Sequence, residues 1–150
     1  MIEIRNIRPS DVDSCHRIVC ENWNKEVGKR FLTEVTHAWA MDMEMPPSYY
    51  VADNEHGEVV AFAGMMASFL MDGVWDLIWS NVKKEFQREG IGKKLMEYRL
   101  NEIKRCNGSV VHLMTQSPAY FSKFGFEIAK SYGSWKLMSL WLGTLTLKGM

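Results

Sequence analysis

Trp75-Asp76-Leu77-Ile78-Trp79-Ser80-Asn81-Val82, then Gln87-Arg88-Glu89-Gly90-Ile91-Gly92: these two runs, with the helical pattern that follows them, decide the fold. The first is rich in β-branched and aromatic residues and reads as a mostly buried strand. Downstream, Ile91, Leu95, Met96, Leu100 and Ile103 recur at three- and four-residue spacings and so share one helical face. Between strand and helix, glycines at 90 and 92 leave backbone that a bulky anion can approach. The first helical turn has N–H groups without intrahelical partners, aimed into the same space. Lys83, Lys84, Arg88, Lys93 and Lys94 add positive charge. The arrangement predicts a pyrophosphate cradle.

Size and charge narrow the rest. With 150 residues, 47% of them hydrophobic, the sequence suits one domain over 1–150 with a sizeable core. Lys+Arg and Asp+Glu both total 18, so no net field steers the chain to nucleic acid or an anionic membrane. Cys15, Cys20 and Cys106 are odd in number, lack metal-ligand spacing and read as buried free thiols of a cytoplasmic protein. His16, His37, His56 and His112 are scattered, so no metal site is expected. The start is not a signal peptide, and no apolar run reaches membrane-spanning length.

Taken in order, Ile2, Ile4 and Ile7 predict a first strand. Ser10 or Asp11 caps a helix running to about Trp23 that buries Val12, Cys15, Ile18 and Val19. A second helix over Lys25–Met41 carries Val27, Phe31, Val35 and Trp39 and ends before Pro46-Pro47. Strands follow at Tyr49–Ala52 and Val59–Leu70, the latter joined to the central strand by a two-residue turn at Asp72-Gly73. Asn107-Gly108 stops the central helix, and Ser109–Met114 is a fifth strand. Ser117-Pro118 opens a short helix that Gly125 closes. Strands near Phe126–Lys130 and Trp135–Leu142 precede a docking or frayed tail, Gly143–Met150.

Two familiar phosphate loops do not fit the glycine run. A P-loop needs Gly at Gln87 and Ser or Thr at Lys94, and a dinucleotide fingerprint needs Gly at Leu95. Gln87, Gly90 and Gly92 do match the Q/R-x-x-G-x-G/A signature, and the chain resembles the GCN5-related N-acetyltransferase (GNAT) superfamily. Tyr120-Phe121-Ser122-Lys123-Phe124-Gly125-Phe126 resembles that family's later motif, hydrophobic-Tyr-x-x-x-Gly-Phe. The element order β-α-α-β-β-β-α-β-α-β-β extends the resemblance over nearly the whole chain. It implies an α/β (α+β) acyl-CoA N-acyltransferase fold: a mixed, mostly antiparallel sheet of six to seven strands flanked by about four helices.

The resemblance further implies transfer of acetyl from acetyl-coenzyme A to an amine, with no metal. The backbone of Ser80, Asn81 and Val82 would hold the cofactor's amide-bearing arm, one N–H polarising the thioester carbonyl. Loop amides of Gln87, Arg88, Glu89, Gly90, Ile91, Gly92 and Lys93 would bind the pyrophosphate, and Phe121 would pack beside the thiol arm. The acceptor amine, of pKa about 10, must lose a proton before attack. Asp76 stands where family members carry a glutamate base, and its apolar neighbours would raise its pKa. It also reads as a rim aspartate after the Asp72-Gly73 turn, solvated or paired with a lysine, and an ordered water is the alternative that takes the proton. The family's tyrosine acid is replaced by Phe121. Tyr120 lies one residue earlier, about 100° round the helix, and is open to two readings, acid for the leaving thiolate or packing residue.

The acceptor is the least defined part. Trp23, Trp39, Met41, Met43, Met45, Tyr49, Trp75, Trp79 and Trp135 fit either an adaptable apolar groove or ordinary core. Asp42 and Glu44 would attract a cationic amine or simply be solvated. The leading expectation is an enzyme acting on a small amine or amino acid. A protein lysine or N-terminus as acceptor, and a non-catalytic acyl-CoA-binding module, are the alternatives. The apolar Leu137–Leu147 stretch leaves room for a homodimer.

Overall fold

The computed structural model describes residues 1–41 and 45–143. Its elements are β1 (Glu3–Asn6), α1 (Val12–Asn22), α2 (Lys25–Ala40), β2 (Ser48–Asp53), β3 (Val59–Ala67), β4 (Val74–Val82), α3 (Ile91–Arg105), β5 (Val110–Thr115), α4 (Pro118–Ser122), β6 (Glu127–Tyr132) and β7 (Trp135–Trp141). Single 3-10 turns occupy Pro9–Asp11 and Lys84–Phe86. This is the order read from the sequence. The strands form one seven-stranded sheet, β1-β2-β3-β4-β5-β7-β6. Pairing is antiparallel in β1/β2, β2/β3, β5/β7 and β6/β7 and parallel in β4/β5, where α3 supplies the crossover that parallel neighbours need. Asp42, Met43, Glu44 and the tail after Gly143 lie outside the described residues.

The chain divides into two compact units, Met1–Met65 with Trp79–Arg99, and Met66–Ile78 with the described residues from Leu100 on. In the first unit, Asn24 accepts the Val27 N–H at 2.9 Å and starts α2. The buried face of α2 is Gly28, Phe31, Val35 and Ala38. A strict spacing of four drifts off a 3.6-residue helix, so Trp39, expected on that face, is 47% exposed. Gly28 lets α2 approach α1, since a Cβ there would collide with Cys20. Phe31 stacks on Phe62 with ring centroids 4.9 Å apart, and Cys15, Val19 and Val51 are fully buried in the same unit.

One cap and one turn differ from expectation. Asp11 does not cap α1 with its side chain. It accepts the Arg8 N–H at 2.7 Å and a forked pair from Arg5 at 2.8 and 3.0 Å, and Arg5 also reaches Asp53 at 2.7 Å. β3 ends at Ala67, and the connection to β4 is the longer loop Ser68–Gly73, closed by Ser68 N–H to Val74 O at 2.8 Å. Phe69 and Leu70 therefore stand in solvent instead of in a strand. Cys15, Cys20 and Cys106 are free, but only Cys15 is buried, with its thiol pushed up to about 12 by desolvation. Cys20 is half-buried and Cys106 exposed.

The second unit is built on β5, flanked by β4 and β7. Ile103, Val111, Phe126 and Met138 are its buried residues of largest consequence. α3 stops as the sequence predicts: Asn107 turns left-handed at φ +59°, and Gly108 N–H closes on Ile103 O at 2.8 Å. Strand β6 begins one residue later than expected, at Glu127, and is exposed along its length.

Candidate functional site

In the first unit the chain leaves β4 through Lys83, whose N–H bonds Val60 O at 2.8 Å, and passes the Lys84–Phe86 turn. Arg88 then adopts φ +67° and Gly90 φ +82°. Left-handed residues two apart turn the intervening N–H groups to one side, the geometry of an anion-binding concavity. The first bond of α3 runs from Lys94 N–H to Gly90 O at 3.1 Å. Ile91, Gly92 and Lys93 thus start the helix with N–H groups that have no acceptor within it. No atom lies within 4 Å of where a Cβ would stand at Gly90, and Gln87–Gly90 is exposed throughout. A pyrophosphate fits this start, with room at the loop and an attractive helix dipole.

Charge around the loop is less than the sequence suggests. Lys83 is committed to Glu58 at 2.5 Å and Glu85 at 2.8 Å, and both partners hold its pKa above the ordinary lysine value. Its positive charge is compensated before a ligand arrives. Lys93 faces Glu97 at 3.9 Å on the exposed helix surface, a contact of small consequence.

The strand end beside the loop is held by residues the motif reading missed. Val82 O accepts from Asn22 Nδ2 and from Gln87 Nε2, each at 2.9 Å. The signature glutamine therefore ties the loop to β4. Buried Asn81 accepts on Oδ1 from Asn22 Nδ2 and Trp23 Nε1, both at 3.2 Å. Arg99, 1% exposed, donates to Gly64 O at 2.9 Å, to Ser80 Oγ at 2.9 Å and to Leu95 O at 3.3 Å. An arginine among Leu95, Met96 and Leu100 on an apolar face was the available signal for it.

Trp79 bends β4. It sits at φ +51°, an outlying conformation for so large a side chain. Its indole N–H donates to Glu34 at 2.6 Å, its ring lies 5.5 Å from the Phe31 ring, and the Arg30 guanidinium stands 5.5 Å from its centroid. Such strain persists only where surroundings over-determine it, and it clusters at functional sites.

In the second unit, Asp76 is half-buried between Trp75 and Leu77. Burial lifts its carboxyl above the ordinary value, and His112 pulls it part of the way back. His112 is its register partner across the parallel β4/β5 pair. The expected raised pKa is present, with a histidine neighbour that the sequence reading had not connected to it. Tyr120 is 40% exposed on α4, its ring edge-on to Phe121 at 5.0 Å and to Phe124 at 5.4 Å. Phe121 in turn meets buried Phe126 at 6.2 Å. Among the described residues no group of His, Cys, Asp and Glu could hold a metal ion, and no helix is long and apolar enough to cross a membrane.

Comparison with known proteins gives one family. The acetyltransferase (GNAT) domain matches residues 46–128. No curated protein matches the sequence. Among solved structures, a GNAT-family protein from Desulfovibrio desulfuricans is 14% identical with TM-score 0.85, covering 95% of this chain and 100% of its own. An aminoglycoside 6′-N-acetyltransferase complexed with coenzyme A is 15% identical with TM-score 0.78, covering 96% and 99%. A ribosomal-protein-alanine N-acetyltransferase from Escherichia coli is 17% identical with TM-score 0.73, covering 98% and 97%. At such identities the likeness is one of fold.

Proposed function

This chain belongs to the GNAT acetyltransferase family, and we propose that it transfers acetyl from acetyl-coenzyme A to a primary amine of a small molecule or amino acid, by direct attack in a ternary complex. The observation that carries this reading is the start of α3, where left-handed Gly90 opens onto space and the helix amides face it. The solved aminoglycoside enzyme of the same fold holds coenzyme A. The reading treats 1–150 as one domain, since strands of both units belong to one sheet.

Each part of the chain has a task. Amides from Gln87 to Lys93 hold the pyrophosphate, and the backbone of Ser80, Asn81 and Val82 holds the arm, with Val82 O already committed to Asn22 and Gln87. Bound acetyl-coenzyme A supplies an activated thioester. Asp76 takes a proton from the acceptor nitrogen, a role suited to a carboxylate whose basicity burial has raised. Tyr120 returns a proton to the leaving sulfur. Phe121 shields the thiol end. Free thiols at Cys15, Cys20 and Cys106 fit a cytoplasmic setting, and the exposed edge strand β6 offers a surface for a homodimer.

A peptide acceptor is the second reading. Met114 and Trp141, both largely exposed, leave the β5–β7 surface of the second unit open to a wide partner. Release of free thiol from acetyl-coenzyme A, followed across small amines and N-terminal peptides, decides between them. Turnover with amines alone supports the first reading, and turnover with peptides alone replaces it. Coenzyme A that neither raises the melting temperature nor shifts the amide resonances of 87–94 removes the assignment altogether.

A further inference from the structure

The second unit carries a polar rank that the reaction as stated does not use. Register places Asp76 opposite His112, His112 opposite Ser139, and Ser139 opposite Glu127, on β4, β5, β7 and β6 in turn. Residues directly opposite in a sheet project from the same face. Asp76, His112 and Ser139 are half-buried, whereas Glu127, the remaining charged member, is exposed at the sheet edge. His112 Nδ1 lies 2.7 Å from Ser139 Oγ. Apolar rows flank the rank: Val74, Val110 and Trp141 on one side, Met114 and Leu137 on the other.

We propose that Asp76, His112 and Ser139 form one proton-handling unit, in which His112 receives the proton that Asp76 removes from the acceptor amine and Ser139 orients the ring. This rests on Asp76 being the base. The balance is simple. The ammonium N–H bond breaks, its electron pair stays on nitrogen, and the proton lands on the Asp76 carboxylate. Asp76 and His112 are register neighbours without a direct hydrogen bond, so the proton then passes across a bridging water to the imidazole. This regenerates the carboxylate beside an imidazolium, which loses the proton to solvent. Nothing is oxidised or reduced. Ser139 is a positioning residue: with Nδ1 fixed by the hydroxyl, the imidazole presents Nε2 for exchange in one tautomer. A half-buried carboxylic acid beside apolar strands exchanges poorly with bulk water, and an imidazole on the neighbouring strand can carry the proton onward. The signal in the sequence was a histidine and a serine in strands otherwise dominated by apolar residues, joined only once the register is known.

Two measurements test the unit, the first without any acceptor. In the ligand-free protein, the Asp76 carboxyl carbon is titrated by NMR in wild type and His112→Gln. The midpoint should rise by about half a unit or more when the nearby imidazole is lost. In Ser139→Ala the 15N signature of His112 should change from one neutral tautomer to a mixture, with Ser139→Thr restoring it. An Asp76 midpoint unmoved by His112→Gln, or a tautomer indifferent to Ser139→Ala, overturns the proposal. The second measurement is kcat for thiol release against pH with an amine that is turned over. His112→Gln should lower kcat about tenfold or more and displace the acid limb, with KM for acetyl-coenzyme A unchanged. Loss in Asp76→Asn with wild-type rate and profile in His112→Gln overturns the relay and leaves Asp76 as base. Wild-type rates in both variants overturn both assignments. His112→Asn serves as the alternative if the glutamine variant does not fold.

Discussion

The candidate site of the first unit is made of backbone, and that of the second is made of side chains. Around Gly90 the working parts are N–H groups, two left-handed residues and a strand end, all between Val82 and Lys94. Around Asp76 they are a carboxylate, an imidazole and a hydroxyl from three strands, with 36 positions separating Asp76 from His112 and 27 separating His112 from Ser139. The carboxylates follow suit. Asp11 in the first unit is held below its ordinary pKa, chiefly by hydrogen bonds from Arg5, and Asp76 in the second is held above it by burial. One unit pairs its carboxylate with arginine, and the other leaves one carboxylate desolvated, where the proposed reaction would use it.

Substitutions should separate the two. Asp76→Asn should lower kcat by about 10²- to 10³-fold, the scale of a general base. Coenzyme A affinity by calorimetry should stay at wild type. Because a desolvated carboxylate costs stability at neutral pH, the melting temperature should not fall. A tenfold weaker cofactor in this variant would erase the division between the units. Arg99→Met should cost about 2 kcal/mol of stability by denaturant titration, as Gly64 O and Ser80 Oγ lose their donor. It should weaken coenzyme A while leaving the pH–rate profile in place.

Gly90→Val forces a β-branched residue to φ +82° and puts its side chain where the ligand is expected. Coenzyme A affinity should fall about tenfold or more, from strain alone of about 1–2 kcal/mol, with kcat at saturation little changed. The Asp11 contribution follows from linkage. Its folded pKa is depressed, so its stabilisation is complete above the unfolded value of about 3.9 and disappears as pH falls through the folded value. Chemical denaturation below pH 4 should show that loss in wild type and a flatter profile in Asp11→Asn. Lys83→Ala, finally, should change coenzyme A affinity less than about twofold, because its charge is already balanced by Glu58 and Glu85.

The same contrast explains what the sequence disclosed. The helix face from Ile91 to Ile103 and the α3 stop at Asn107-Gly108 are local patterns found as read, and the glycine loop stands between β4 and α3 where the sequence put it. The order of elements follows because turn residues punctuate the strands. Trp39 misled because a spacing of four approximates the helical period for only about two turns. Phe69 and Leu70 misled because β propensity says nothing of where a hairpin opens. Arg99, Asn22 and His112 were illegible for a different reason. Their partners at Gly64, Val82 and Ser139 lie 27 to 60 residues away, and only pairing and packing bring them together.

Trp79 has a consequence for how chains of this design can vary in length. Side chains alternate along β4 with a period of two, and the left-handed residue interrupts that count between Asp76, in register with His112, and Ser80, which accepts from Arg99. Gaining or losing a single residue inside β4 would exchange inward and outward positions on one side of Trp79 and carry the indole away from Glu34 and Phe31. Insertions belong in Ser68–Gly73, where Phe69 and Leu70 already hang free of the strands. The left-handed residue works as an index notch, holding the strand at one count while the hairpin ahead of it can be lengthened.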